Sequence, residues 1–208
     1  MKAETAVRLV PLDRAHAATA AELHAAGQPG TFLTSLGPAF LRTLYTAIPA
    51  SPYGFGLAAL DPASGEMIGV VAGSTNTSDL FRDIAVRQAW RIAPPIAIRL
   101  LRHPALLPKI LQTLTYPAAE VHPGAGELLF IGVRPALRSR GVGAQLYAAL
   151  LEECRRRGIA LLTVLVDASN EGANRFYRRH GFQYDTSQTL YGRRMHFYHV
   201  YPLDTRDG

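Results

Sequence analysis

Arg138-Ser-Arg-Gly141-Val-Gly143 runs directly into AQLYAALLEECRRRG, so two glycines flanked by arginines open a segment of helical periodicity. Glycine lets backbone approach a ligand closely, several N–H groups can point one way, and the helix dipole adds positive potential. Arg138 and Arg140 strengthen that potential. Such a turn can hold an anion, above all a phosphate. The alternative is a tight turn whose glycines only permit packing. Two familiar phosphate loops are excluded. Neither glycine is followed by the lysine of a Walker loop, and the third position of a dinucleotide-binding G-x-G-x-x-G is Leu146.

The elements around the turn follow from periodicity. Glu127 to Val133 (ELLFIGV) reads as a buried strand, and Val142 to Arg157 as a helix with Val142, Leu146, Leu150 and Cys154 on one face. Arg155 to Arg157 and Gly158 suit its C-terminus. Cys154, the only cysteine, is expected as a core residue without nucleophilic character. Ile159 to Val166 (IALLTVLV) reads as a strand buried on both faces. Asn170 can cap a short helix to Arg179, and 183–190 with 194–201 form a closing hairpin.

Upstream, Val7 to Pro11 alternates like a strand, and Asp13 can cap a helix to about Ala26. A second helix follows from Pro38, with Leu36, Phe40, Leu41, Leu44, Tyr45 and Ile48 at helical spacing. Residues 53–60 and 67–73 form a hairpin across DPASG. The stretch 78–118 is helical in composition but interrupted by Pro94, Pro95, Pro104, Pro108 and Pro117. Arg82, Arg87, Arg91, Arg99, Arg102 and Lys109 there face only Asp79 and Asp83, six cations against two anions. These are solvated helix faces, or else a basic lid over an acidic ligand or a surface that touches membrane.

The 208 residues, with a net charge of +6, 48% apolar and 18% charged, fit one domain with a sizeable core. No basic run interleaved with exposed aromatics points to nucleic acid. No uncharged apolar run is long enough to span a membrane, and MKAETAVRLVPLDRAH lacks the apolar core of a signal peptide. A cytoplasmic protein is therefore expected, with no nucleic-acid partner and no stable membrane insertion; a homodimer is left open.

The glycine turn also resembles the Q/R-x-x-G-x-G/A signature of the Gcn5-related N-acetyltransferase (GNAT) superfamily. Asn170 to Phe182 (NEGANRFYRRHGF) is similar to that superfamily's second signature, N-x-x-A-x-x-x-Y-x-x-x-G-F, at every position. The close resemblance covers about 127–182; the stretch 78–118 is longer than the family's usual link. The resemblance implies an α/β (α+β) fold, a mixed central sheet of about six to seven strands flanked by helices; a single domain over 1–208 is expected, with the stretch at about 78–118 as a helical insertion that the family pattern does not explain.

It also implies acetyl-CoA as acyl donor and direct acyl transfer to an amine; the acceptor is left open, with a small-molecule amine as first choice, and the residues give no reason to expect a metal. The N–H groups of Ser139, Arg140, Gly141, Val142, Gly143 and Ala144 would hold the pyrophosphate. The pantetheine arm would lie between 128–133 and 160–166, pairing with Ile131 and Val133, beside Asn170 and Ala173. Arg138, Arg175, Arg178 and Arg179 are available for the 3′-phosphate. Tyr177 would serve the leaving thiolate, Glu127 would take the amine proton, and backbone at the strand bulge, Val133 or its neighbour, would meet the oxyanion. Tyr177 could instead be a packed aromatic and Glu127 an exposed residue at a strand start. His180, His196 and His199 show no spacing that suggests a metal site, and Tyr184, Tyr191, Tyr198 and Tyr201 are expected as packing residues. A peptide or protein amine acetyltransferase, or a non-catalytic acetyl-CoA sensor, are the competing functions.

Overall fold

The computed structural model describes residues 6–108, 122, 124–190 and 192–202. Seven strands form one sheet in the order β1-β2-β3-β4-β5-β7-β6. They are β1 (Arg8–Pro11), β2 (Gly54–Leu60), β3 (Met67–Ser74), β4 (Gly126–Val133), β5 (Leu162–Asp167), β6 (Gln183–Leu190) and β7 (Arg193–Val200). All neighbours are antiparallel except β4 and β5.

Seven helices flank the sheet among the described residues: α1 (Ala17–Gly27), α2 (Phe32–Ser35), α3 (Pro38–Ala47), α4 (Thr77–Arg87), α5 (Ala89–Arg102), α6 (Val142–Arg156) and α7 (Glu171–Arg179). Alternation along the strands splits the core in two. Ala58, Val70, Ala72 and Phe130 turn towards α1, α3 and α4. Ala59, Val71, Leu128, Leu162 and Val164 turn towards α6 and α7. Val142, Leu146, Leu150 and Cys154 are all buried beneath α6, as their spacing requires. Burial pushes the Cys154 thiol up to about 12, so it stays protonated and inert.

Two sequence expectations need correction. Strand β5 begins at Leu162 and is buried on one face only, through Leu162, Val164 and Val166. Beyond Thr163 its edge towards β4 borders an opening, because β4 pairs with β5 only at Gly126↔Leu162 and Glu127↔Thr163. In the insertion, Pro94 and Pro95 lie inside α5 and do not end it. Each forgoes its own N–H and leaves one carbonyl a turn earlier without its helical donor, a local loss that the helix survives. Asn76 caps α4 by accepting the Asp79 N–H at 3.0 Å. Lys109, Pro117, Tyr191 and the far end of the insertion lie outside the described residues.

Candidate active site

Beyond Glu127 the strand β4 leaves β5 and runs beside β3 alone. Arg134 N–H donates to Ile68 O at 2.9 Å. By strand alternation, Val133 and Ile131 turn their amides and carbonyls away from β3, into the opening. Leu129 has no partner on β3, where pairing steps from Gly73↔Leu128 to Ala72↔Phe130. The bulge of β4 therefore sits at Leu129 and not at Val133 or its neighbour, where the family resemblance puts it.

The chain then makes a 3-10 turn at Pro135–Leu137 and reaches the glycine loop. Arg138 is extended, Ser139 takes φ +61° and Gly141 takes φ +82°. Ser139 is the one non-glycine with positive φ among the described residues. Left-handed residues in such a turn aim successive amides to one side, and strain of this kind collects at ligand clamps. Gly141 is the N-cap of α6 and offers no side chain to it. The first turn of α6 thus has no side-chain cap, and amides so placed can meet an anion. A Cβ at Gly143 would meet Phe176 at an ordinary 3.6 Å, so internal packing does not demand glycine there.

A cavity of about 1040 Å³ runs from this loop to the far side of the sheet. Glu127, Ile131, Val133, Arg138, Ser139, Gly141, Gly143, Ala144, Asn170, Ala173 and Tyr177 all line it. Arg140 is exposed and does not line it, and the Val142 side chain is packed in the core. Of the arginines named for the 3′-phosphate, Arg138, Arg175 and Arg179 border the cavity. Arg178 does not; it donates to Asn174 O and faces a separate hollow by Tyr184. Asn170 Oδ1 accepts the Ala173 N–H at 3.1 Å, so the cap occupies its oxygen and leaves the amide group for other contacts. Asn174 staples the surroundings: its Nδ2 donates to Asp167 O and Asn170 O, and its Oδ1 accepts from Tyr198 Oη.

Tyr177 is 5% exposed and packs edge-on against Phe176 and Phe182. Burial, then the neighbouring Tyr147, holds its phenol well above the usual range, so it is a neutral donor at any physiological pH. Glu127 is buried, contrary to the exposed strand start that was its alternative. Its Oε2 accepts from Thr77 Oγ1 at 2.7 Å, and Thr77 Oγ1 lies 2.7 Å from Ser74 Oγ. With Thr77 donating to the carboxylate, Ser74 donates to Thr77. Thr77, Leu80 and Phe81 bring the start of the insertion onto the cavity wall.

Sequence reading missed His24. It lines the cavity, stacks on Phe130 at 4.7 Å and has Nδ1 2.8 Å from Tyr45 Oη. Burial lowers its pKa from 6.5 to about 4. The unfolded chain therefore takes up this proton at higher pH than the folded one. The contribution is intact above pH 6.5 and is lost as pH falls from there through about 4. The limit is about 3 kcal/mol. His24→Gln should flatten the fall of unfolding free energy in that window relative to wild type; equal slopes in urea titrations would refute the assignment.

His199 also has neighbours that spacing concealed. Asp185 Oδ1 lies 2.6 Å from His199 Nδ1 and its Oδ2 lies 3.0 Å from His122 Nε2. The three side chains stand close enough to hold a cation. Each carboxylate oxygen nevertheless faces one imidazole, the geometry of two hydrogen bonds that clamp the approach to β4 onto the closing hairpin.

A mixed seven-stranded sheet opens beside its one parallel pair, and the first turn of α6, without a side-chain cap, stands at the mouth of that opening. Residues 27–182 match the model of the acetyltransferase (GNAT) family. The chain belongs to that family. A mycothiol acetyltransferase of Nocardia farcinica is 33% identical over 102 residues, 49% of this chain and 34% of that protein. One of Streptosporangium roseum is 41% identical over 61 residues, 29% of this chain and 18% of that protein. The chain thus spans about a third or less of the length of these curated relatives. Among solved structures, Arabidopsis thaliana NAA60 in complex with acetyl-CoA aligns with a TM-score of 0.59 at 14% identity, covering 94% of this chain and 98% of that one. Ard1 of Thermoplasma volcanium gives 0.61 at 14%, covering 94% and 97%. At such identity the structural likeness concerns the fold alone.

Proposed function

We propose that the chain is an acetyl-CoA-dependent N-acetyltransferase acting on the primary amine of a small molecule by direct attack on the thioester. One observation carries this reading: the open amides of the glycine loop, the unpaired edge of β4, Tyr177 and Glu127 all line one continuous cavity. Family membership supports acetyl-CoA as donor, and relatives named mycothiol acetyltransferase favour a small acceptor over a protein.

The residues fit the donor. The loop from Ser139 to Ala144 offers amides to a pyrophosphate, and Arg138, Arg175 and Arg179, which border the same cavity, are available for the 3′-phosphate. Ile131 and Val133 present peptide groups to a pantetheine arm in the gap beside β5. The amine nitrogen attacks the carbonyl carbon and the carbon–sulfur bond breaks. Glu127 receives the proton lost by the amine, directly or through water. We assign the oxyanion donor to the amide of Leu129, at the bulge. Tyr177 donates a hydrogen bond to the thiolate. Burial makes this phenol a weaker acid than a thiol, so it stabilises the sulfur charge without surrendering its proton.

The test is a panel of amines with acetyl-CoA, followed by thiol release. Turnover with a small amine and none with peptide N-termini is expected. Turnover confined to peptides would overturn the acceptor class, and tight acetyl-CoA binding without turnover on any amine would overturn catalysis.

A further inference from the structure

Helix α5 is apolar on two sides. Ile92, Ile96 and Leu100 face inward against the core. Trp90, Ala93, Ala97, Ile98 and Leu101 face outward at helical spacing and are all exposed, Trp90 by 68% and Leu101 by 85%. Val86, at the end of the preceding α4, is exposed as well. A helix that is apolar all round is normally covered, and a continuous exposed apolar patch marks a surface that meets something else. From Ala89 to Leu101 the stripe measures about 18 Å at the α-helical rise.

Charge selects the occupant. From Ile84 to Ala119 the sequence contains no aspartate or glutamate. Arg91 lies over the Trp90 ring at 4.5 Å, and exposed Arg102, eleven positions further along α5, falls on the same flank of the helix as Arg91, beside the apolar stripe. A second copy of this chain docked through a two-fold axis would set these arginines against themselves with no acid from this stretch to pair them. An anionic surface meets both the cations and the apolar stripe. No described helix is long and apolar enough to cross a membrane, so α5 has the character of a segment that lies in the plane of an interface.

We propose that the outer face of α5 docks on an anionic phospholipid surface. Trp90, Ile98 and Leu101 sit at the boundary of headgroups and acyl chains, and Arg91 and Arg102 meet lipid phosphates. Docking there brings the neighbouring α4, whose Thr77, Leu80 and Phe81 wall the cavity, close to the bilayer. The inference is independent of the reaction proposed above.

Trp90 is the only tryptophan, so its emission reports on this face alone. The intact chain is mixed with vesicles of phosphatidylcholine containing phosphatidylglycerol, and with pure phosphatidylcholine vesicles. Expected are a blue shift and co-sedimentation with the anionic vesicles, about tenfold weaker binding to the neutral ones, and weakening by salt. Leu101→Asp should abolish the blue shift while circular dichroism stays unchanged. Four results would overturn the proposal: no binding to anionic vesicles, equal salt-insensitive binding to both, unchanged binding by Leu101→Asp, or a blue shift that grows with protein concentration alone and accompanies a doubled mass.

Discussion

Tyr177→Phe should lower kcat by about 10²-fold while leaving the acetyl-CoA dissociation constant unchanged. The substitution removes only the hydroxyl. The ring keeps its contacts with Phe176 and Phe182, so the fold and the cavity wall persist. Under the proposed mechanism, what is lost is a hydrogen bond to a sulfur that bears charge only as the thioester breaks. A hydrogen bond to a charged partner contributes about 1.5–3 kcal/mol, and one made only in the transition state appears in kcat. Single-turnover kinetics and calorimetry separate the two quantities. In a protein that only senses acetyl-CoA, Tyr177→Phe would be silent in every assay, and an unchanged kcat in the transferase assay would remove Tyr177 from catalysis.

Gly141→Val should weaken acetyl-CoA binding by about 10²–10³-fold. The backbone there stands at φ +82°, where a β-branched residue is strained by about 1–3 kcal/mol. The strain is relieved by turning the peptide planes on either side, which swings the loop amides off their common direction. Two charge-assisted hydrogen bonds lost to a pyrophosphate account for the expected fall. Gly141→Asn, which tolerates the left-handed region, should stay within about tenfold of wild type. Gly143→Ala is the companion control, since its added carbon meets Phe176 at 3.6 Å without a clash. Isothermal titration with acetyl-CoA decides the ranking. If valine and asparagine bind alike, the left-handed geometry at 141 is not what holds the ligand.

Much of this was legible in the sequence because the signals were local. Glycines at 141 and 143, the face Val142-Leu146-Leu150-Cys154 and the Asn170 cap each depend on a few neighbouring residues, and each element lies where periodicity puts it. The site residues missed were those joined by distant pairing. His24 sits in an alanine-rich helix and meets Tyr45 and Phe130 only after three elements have packed. Thr77 reaches Glu127 across 50 positions of sequence. Asp185, His199 and His122 meet because a hairpin returns to the approach of β4. The bulge at Leu129 is a property of pairing with β3, which no composition of β4 alone reveals. The continuous apolar run of β5 predicts burial on both faces because hydrophobicity records affinity for a core, not the point at which two strands part.

That parting leaves the sheet with a seam. Strands β1 to β4 and strands β5, β7 and β6 share a ladder of only two residue pairs, reinforced by α6 packed over one side. A molecule lodged there would complete the missing rungs and act as mortar between the halves. The reagent consumed in each cycle would then double as a structural brace, and the resistance of the folded chain to proteolysis would follow how well the cell is supplied with it.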